Sequence, residues 1–256
     1  MLAISAASAL QRRREEARVT LQPATGQTER KRLASGVVFD LDGTLVDSAP
    51  DLAEALNQFF VRRKLGPFDL ASVRAMVGGG VQKLLERSWT ALGKAQPRDM
   101  RAQVYEFIAI YGARPTKLSK PFSGAHDAIV SLRNEGFAIG LCTNKPEAIA
   151  RRMLADFGWT PLFDAVIGGD TTQFKKPHPA PLALALARMG VFARKAVMVG
   201  DSGADVGAAA SLGLRSVLVS YGYSRIPVGE LGADALIDDL RALPAVIEGF
   251  GMTALA

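Results

Sequence analysis

The chain contains one cysteine, Cys142, and two histidines, His126 and His178, among 256 residues. A lone cysteine excludes an internal disulfide framework. Neither histidine has a ligand partner at metal-binding spacing, so no histidine metal site is expected. Cys142 sits in an apolar run with no histidine placed to activate it. It reads as a buried, inert thiol rather than a nucleophile. No uninterrupted apolar run approaches the roughly 18 residues of a membrane span. There is no internal repeat and no low-complexity tract. A cytoplasmic protein without a membrane partner is the expectation.

The body of the chain also lacks a strong charge. The formal net charge is +6. Before Gly36, seven arginines and lysines stand against Glu15, Glu16 and Glu29, a local +4 that leaves only +2 for the rest. A nearly neutral body argues against a nucleic-acid-binding core. Residues 1–35 read first as a disordered extension. Two other readings compete: a basic arm for nucleic acid or anionic lipid, and a targeting peptide built on the apolar stretch 2–10. A secretory signal carries its positive charge before the apolar stretch, whereas here the arginines follow it.

What the chain does have is a recurring unit. Short apolar runs at 37–40, 137–142, 165–167, 196–199, 216–219 and 235–237 each end in small or polar residues. Runs of this kind suit buried parallel strands. Between them, 125–134, 147–157, 180–189 and 205–212 carry apolar residues at helical spacing. Alternating strand and helix predicts an α/β fold, a doubly wound parallel sheet covered on both faces. One interval breaks the alternation. Residues 51–120 show helical stretches at 52–63, 81–92 and 98–111 and no convincing strand, and predict a helical domain inserted into a core of 36–50 and 121–256. Pro50 and Pro121 punctuate its two joints. The run Val77-Gly78-Gly79-Gly80 within it reads as a hinge or a substrate-facing loop.

Ligands of such sheets bind beyond the carboxyl ends of the strands, and the chemistry-bearing residues fall there. Asp40 and Asp42 follow the first strand and, two apart in extended backbone, point the same way. Converging carboxylates repel unless a cation lies between them. A hard cation such as magnesium (Mg2+) meets that need with oxygen ligands. Acids that merely end a strand and cap a helix are the plainer alternative. It serves for one acid, but poorly for Asp40-Leu41-Asp42-Gly43-Thr44 after an apolar run. Asp201 ends another strand and is placed to complete the metal site. Asp205, four residues on, suits a partner that orients the ligands better than a ligand. Thr143 and Asn144, ahead of a helix, offer a hydroxyl and an amide for an anion, although Thr143 as a simple helix cap explains the pattern equally well. Lys176, set before Pro177, supplies a rigidly placed positive charge for phosphate and for a carboxylate.

These four groups, in this order, resemble the motifs of the haloacid dehalogenase superfamily of phosphatases. The resemblance covers essentially all of 36–250: Asp-x-Asp-x-Thr at Asp40–Thr44, Thr143, Lys176, and Gly200-Asp201-Ser202-Gly203-Ala204-Asp205, with none missing. The inserted helices match that superfamily's small cap. Within it, the stretches Asp47-Ser48-Ala49-Pro50-Asp51-Leu52, Val77–Gly80, Lys176-Pro177-His178-Pro179-Ala180-Pro181 and Val219-Ser220-Tyr221-Gly222-Tyr223 look most like the phosphoglycolate phosphatases. The resemblance implies that Asp40 is the nucleophile and Asp42 the acid and base. It implies that Asp40, Asp201 and the main-chain carbonyl of Asp42 hold magnesium, and that Thr143, Asn144 and Lys176 bind the phosphoryl group.

Several readings compete with phosphoglycolate hydrolysis. A sugar phosphate or pyrophosphate is the alternative substrate. Dehalogenation is disfavoured by the second acid, Asp42, and a phosphomutase by Thr44, where those relatives usually carry valine. A non-catalytic scaffold would be expected to have lost one of the four groups. The cation for a substrate carboxylate stays open among Lys83, Arg87 and Lys145. The sequence assigns no oligomeric state.

Overall fold

The computed structural model describes residues 35–253. The extension at 1–35 lies outside them except for Ser35, and so do its three readings. Six strands form one parallel sheet: β1 (Gly36–Phe39), β4 (Ala138–Cys142), β5 (Ala165–Ile167), β6 (Ala196–Gly200), β7 (Arg215–Val219) and β8 (Ala235–Ile237). Their order across the sheet is β5-β4-β1-β6-β7-β8. The expected doubly wound sheet is present, and each apolar run of the sequence is one of its strands.

Alternate residues of each strand serve opposite faces, and both faces are buried. Val37, Phe39, Ile139, Leu141, Val197 and Val199 pack with α5 (Ala125–Asn134), α6 (Glu147–Asp156) and α9 (Leu243–Gly249). Val38, Cys142, Ile167 and Met198 pack with α7 (Ala180–Met189) and α8 (Gly203–Ala210). Two buried faces require continuous apolar runs, which is why the strands are apolar throughout rather than alternating. Cys142 is fully buried in this core, and burial pushes its thiol up to about 12. Among the described residues, no helix is long and apolar enough to cross a membrane.

The interval without strands is helical: α1 (Ala49–Val61), α2 (Leu70–Met76), α3 (Val81–Ala91) and α4 (Met100–Gly112). Its interior is aromatic. Phe60 meets Phe59, Phe68 and Trp89 edge-on at centroid distances of 5.0, 5.5 and 5.0 Å. Edge-to-face pairs of this kind add to the stabilisation from burial alone. The chain enters and leaves this segment through two short strands, β2 (Val46–Asp47) and β3 (Lys120–Pro121), paired antiparallel. Pro50 falls in the first turn of α1 and Pro121 in β3.

A buried carboxylate secures that junction. Asp51, 3% exposed, accepts hydrogen bonds from Leu118 N and from Ser119 N and Oγ, all within 2.9 Å. Removing the acceptor leaves the buried Ser119 N–H and hydroxyl without their carboxylate partner, which costs more than losing one exposed hydrogen bond. Asp51→Ala is expected to lower the unfolding free energy by about 2 kcal/mol in urea titration. A loss within error of zero would show that the junction is held by other contacts.

Candidate active site

The sheet order reverses direction between β1 and β6, since β4 and β5 lie to one side of β1 and β7 and β8 lie beyond β6. Strand ends diverge at such a point and leave a crevice. Asp40 follows β1 and Asp201 follows β6, so neighbouring strands deliver both acids to that crevice. The main chains stay locked as they leave the sheet, Asp40 N donating to Val199 O at 2.9 Å.

Carboxylate oxygens of Asp40, Asp201 and Asp205 lie within 4.8 Å of one another. The three differ in how they are satisfied. Asp205 Oδ2 accepts from Ser202 N and Oγ at 3.1 and 2.8 Å and from Asp201 N at 3.3 Å, and its Oδ1 takes Lys176 Nζ at 2.6 Å. Asp201 Oδ2 accepts from Tyr223 N at 2.7 Å. Lys176 Nζ stands 3.1 Å from Asp40 Oδ1, but its hydrogen bonds go to Asp205 and to Cys142 O at 2.5 Å. Asp40 Oδ1 is therefore in ion-pair range of an ammonium yet buried without a hydrogen bond.

Burial pushes the Asp40 carboxyl up to about 6, against the attraction of Lys176 and with the repulsion of Asp205 and Asp42. Asp201 is raised well above the usual carboxylate range, again by burial first and then by Asp205 and Asp40. Burial disfavours the Lys176 ammonium, but the attraction of Asp205 and Asp40 outweighs it. One lysine thus faces three acids in a poorly solvated place. An orphaned carboxylate oxygen and two destabilised carboxyls at one point suit an oxygen-binding cation.

The crowding depends on Gly43. Its φ of +83° suits glycine, and a Cβ there would lie 2.3 Å from Asp201 Oδ2. A side chain at 43 would displace the carboxylate.

Asp42 takes another direction. Its carboxylate accepts from Ser48 Oγ at 2.5 Å and from Lys145 Nζ at 2.7 and 3.0 Å. It stands beside the acid cluster without joining it. Neither partner announced itself by motif: Ser48 comes from the junction with the helical segment, and Lys145 was one of three open cations.

Thr143 is buried, and its Oγ1 accepts from Lys145 N at 3.3 Å. Asn144 has partners of its own within the protein. Its Nδ2 donates to Lys176 O at 3.0 Å and its Oδ1 accepts from Lys176 N at 2.9 Å. The amide spends itself on positioning the lysine backbone, because the loops after β4 and β5 approach closely enough for a two-bond clasp.

These groups line one cleft of about 700 Å³, its open mouth included. The core contributes Asp40, Asp42, Thr143, Asn144, Lys145, Lys176, Asp201 and Tyr223. The helical segment contributes Leu52, the loop from Val77 to Gly80, Val81, Leu84 and Tyr111. The glycine loop touches the core at Gly80, where φ is +87° and a Cβ would lie 2.9 Å from both Asn144 O and Lys175 Nζ. Two of the open cations sit elsewhere. Lys83 pairs with Glu86 at 2.7 Å, and Arg87 Nη1 donates to Met76 O, Val77 O and Gly78 O at 2.8, 3.2 and 2.7 Å. Neither lines the cleft.

A family model of the haloacid dehalogenase-like hydrolases matches residues 37–219. The phosphoglycolate phosphatase of Rhodospirillum rubrum is 43% identical over 217 residues, covering 82% of this chain and 90% of the relative. That of Caulobacter vibrioides is 40% identical over 209 residues, covering 81% and 88%. Among solved structures, a protein described as a predicted phosphoglycolate phosphatase of Haemophilus somnus superposes with a TM-score of 0.77 at 29% identity, covering 83% of this chain and 97% of that one. Sheet order, cleft and sequence agree, and the chain belongs to the haloacid dehalogenase-like hydrolases.

Proposed function

We propose that this chain is a magnesium-dependent phosphatase, acting in the cytoplasm on a small phosphorylated substrate. The substrate is 2-phosphoglycolate, which it hydrolyses to glycolate and phosphate. The observation that carries the reading is Asp40 Oδ1, a buried carboxylate oxygen with no hydrogen bond, set beside a lysine on the floor of the cleft. Such an atom is free to form a bond. The substrate follows from the relatives named phosphoglycolate phosphatase at 40% and 43% identity.

In this reading an Asp40 oxygen attacks phosphorus and the bond from phosphorus to the ester oxygen breaks. Asp42 gives its proton to the departing oxygen. Asp42 then takes a proton from water as the water oxygen attacks the aspartyl-phosphate, and the bond from phosphorus to Asp40 breaks. Phosphate leaves and Asp40 is restored. Lys176, Thr143 and the main chain at Asn144 hold the phosphoryl oxygens, a fixed positive field that strengthens as charge spreads in the transition state.

The Asp40 and Asp201 carboxylates fit a magnesium ion, to which the family resemblance adds the main-chain carbonyl of Asp42. When bound, it neutralises the repulsion between Asp40 and the phosphate dianion. The Asp42 carboxylate stays with Ser48 and Lys145. Asp205, saturated by four donors, positions Lys176 and the turn at 201–202. The helical segment 51–120 serves as the cap that shields the cleft from water.

A sugar phosphate is a poorer fit than phosphoglycolate. The helical segment lines the cleft with Leu52, Val77, Val81, Leu84, Tyr111 and three glycines. These side chains offer little to read a ring of hydroxyls.

Asp40→Asn is expected to lower phosphoglycolate turnover by more than about 1000-fold with the fold intact. Substantial residual activity in the purified variant would sink the nucleophile assignment. In a panel of phosphate esters, phosphoglycolate is expected to give the highest kcat/KM; faster hydrolysis of sugar phosphates would overturn the substrate.

Metal binding carries a pH signature. Asp40 is protonated below a pH of about 6. Above it, the metal-free protein bears a buried charge that costs stability, so Asp40's contribution falls as pH rises from the unfolded carboxyl range through about 6. Magnesium offsets the loss and needs the deprotonated oxygen. The magnesium-induced rise in Tm is expected to be larger at about pH 7.5 than at about pH 5. Equal rises would show that Asp40 is not a ligand.

A further inference from the structure

Two cations line the cleft, Lys176 and Lys145. An ammonium has three donors. Lys176 donates to Asp205 and to Cys142 O and stands in ion-pair range of Asp40. Lys145 is as deeply buried, 4% exposed, and sends two donors to one carboxylate, that of Asp42. Its Nζ also lies 4.5 Å from the centroid of the Tyr111 ring, on the helical segment. The structure places no further acceptor on it among the described residues. A buried lysine whose countercharge is a reacting group, seated against an aromatic face, is costly unless a ligand uses it.

We propose that Lys145 is the specificity-determining residue that receives the carboxylate of the leaving group, and that it selects esters whose carboxylate is one carbon from the ester oxygen. The inference rests on the phosphatase reading above, with Asp42 at the departing oxygen. Asp42 and Lys145 touch, at 2.7 Å. An ester oxygen beside Asp42 therefore puts the next carbon's substituent at Lys145. A 2-phospho-carboxylate has its carboxylate there. An alkyl ester has a methyl group there, and a longer phospho-acid carries its charge past the lysine. The other two open cations are spent outside the cleft, so this lysine alone among the three meets the substrate. Tyr111 and the glycine loop line the same cleft as this pair.

The test compares phosphoglycolate with ethyl phosphate, which lacks only the carboxylate function, in the wild-type enzyme and in Lys145→Met, Lys145→Gln and Lys145→Arg. Loss of the contact to Asp42 slows both esters alike, so the ratio of their kcat/KM values isolates recognition of the carboxylate. Lys145→Met and Lys145→Gln are expected to reduce that ratio on the order of 100-fold, mainly through KM for phosphoglycolate. Lys145→Arg is expected to retain part of it. A folded Met or Gln variant that keeps the wild-type ratio overturns the inference and leaves the phosphatase reading standing. A wild-type enzyme that shows no preference for phosphoglycolate overturns the substrate reading itself. Should the variants not fold, a crystal structure of the wild-type protein with magnesium, vanadate and glycolate decides the matter. A glycolate carboxylate on Lys145 is the expected result, and one bound elsewhere refutes it.

Discussion

The structure is organised around a repulsion. Three carboxylates meet within 4.8 Å at the one place where the sheet changes direction, with a single lysine against them. Such a cluster costs folding free energy, visible in the raised carboxyls of Asp40 and Asp201. It persists because its parts are overdetermined. The strand ladder fixes the backbone of Asp40, Tyr223 holds Asp201, and four donors hold Asp205. The local strain is set against two large apolar cores, one on each face of the sheet.

The helical segment is tied to this centre by a few polar contacts at its root. Asp47 links the two sides of the junction, accepting from Tyr223 Oη at 2.5 Å and from Arg74 at 2.7 Å. Asp51 holds the returning strand. The same root supplies Ser48 to Asp42. The residues that anchor the segment are thus neighbours in sequence of the acids that line the cleft. The segment's root touches Asp42 through Ser48, and its Tyr111 touches Lys145.

Short, continuously apolar runs were legible as strands because both sheet faces are buried, and periodic runs such as Ala180–Met189 were legible as helices for a related reason. Other elements were not. Leu70–Met76 and Leu243–Gly249 are seven residues each, too short for a helical period to stand out. The pairing of Val46–Asp47 with Lys120–Pro121 joins two residues to two others far along the chain, and no local pattern encodes that. At the site, Asp40, Thr143 and Asp201 follow the ends of three strands and line one cleft together with Lys176, which a loop delivers. Asn144 lines the cleft, and its amide also clasps the Lys176 backbone, a contact that depends on loop proximity.

The sequence by itself determined the class of fold and the inventory of reactive groups. Strand-end residues are brought together by sheet order, and sheet order follows from alternating apolar runs and helices. Tertiary structure decided how those groups are divided. It turned Asp42 toward Ser48 and Lys145 while Asp40 and Asp201 faced one another, and it spent Lys83 and Arg87 on the helical segment's own surface and loop. It also left Lys145 as a buried cation paired with Asp42 in the cleft. The physical reason is that spacing along a chain sets which way a residue leaves its strand, whereas the partner that satisfies a buried charge is set by whatever packing brings within 3 Å of it.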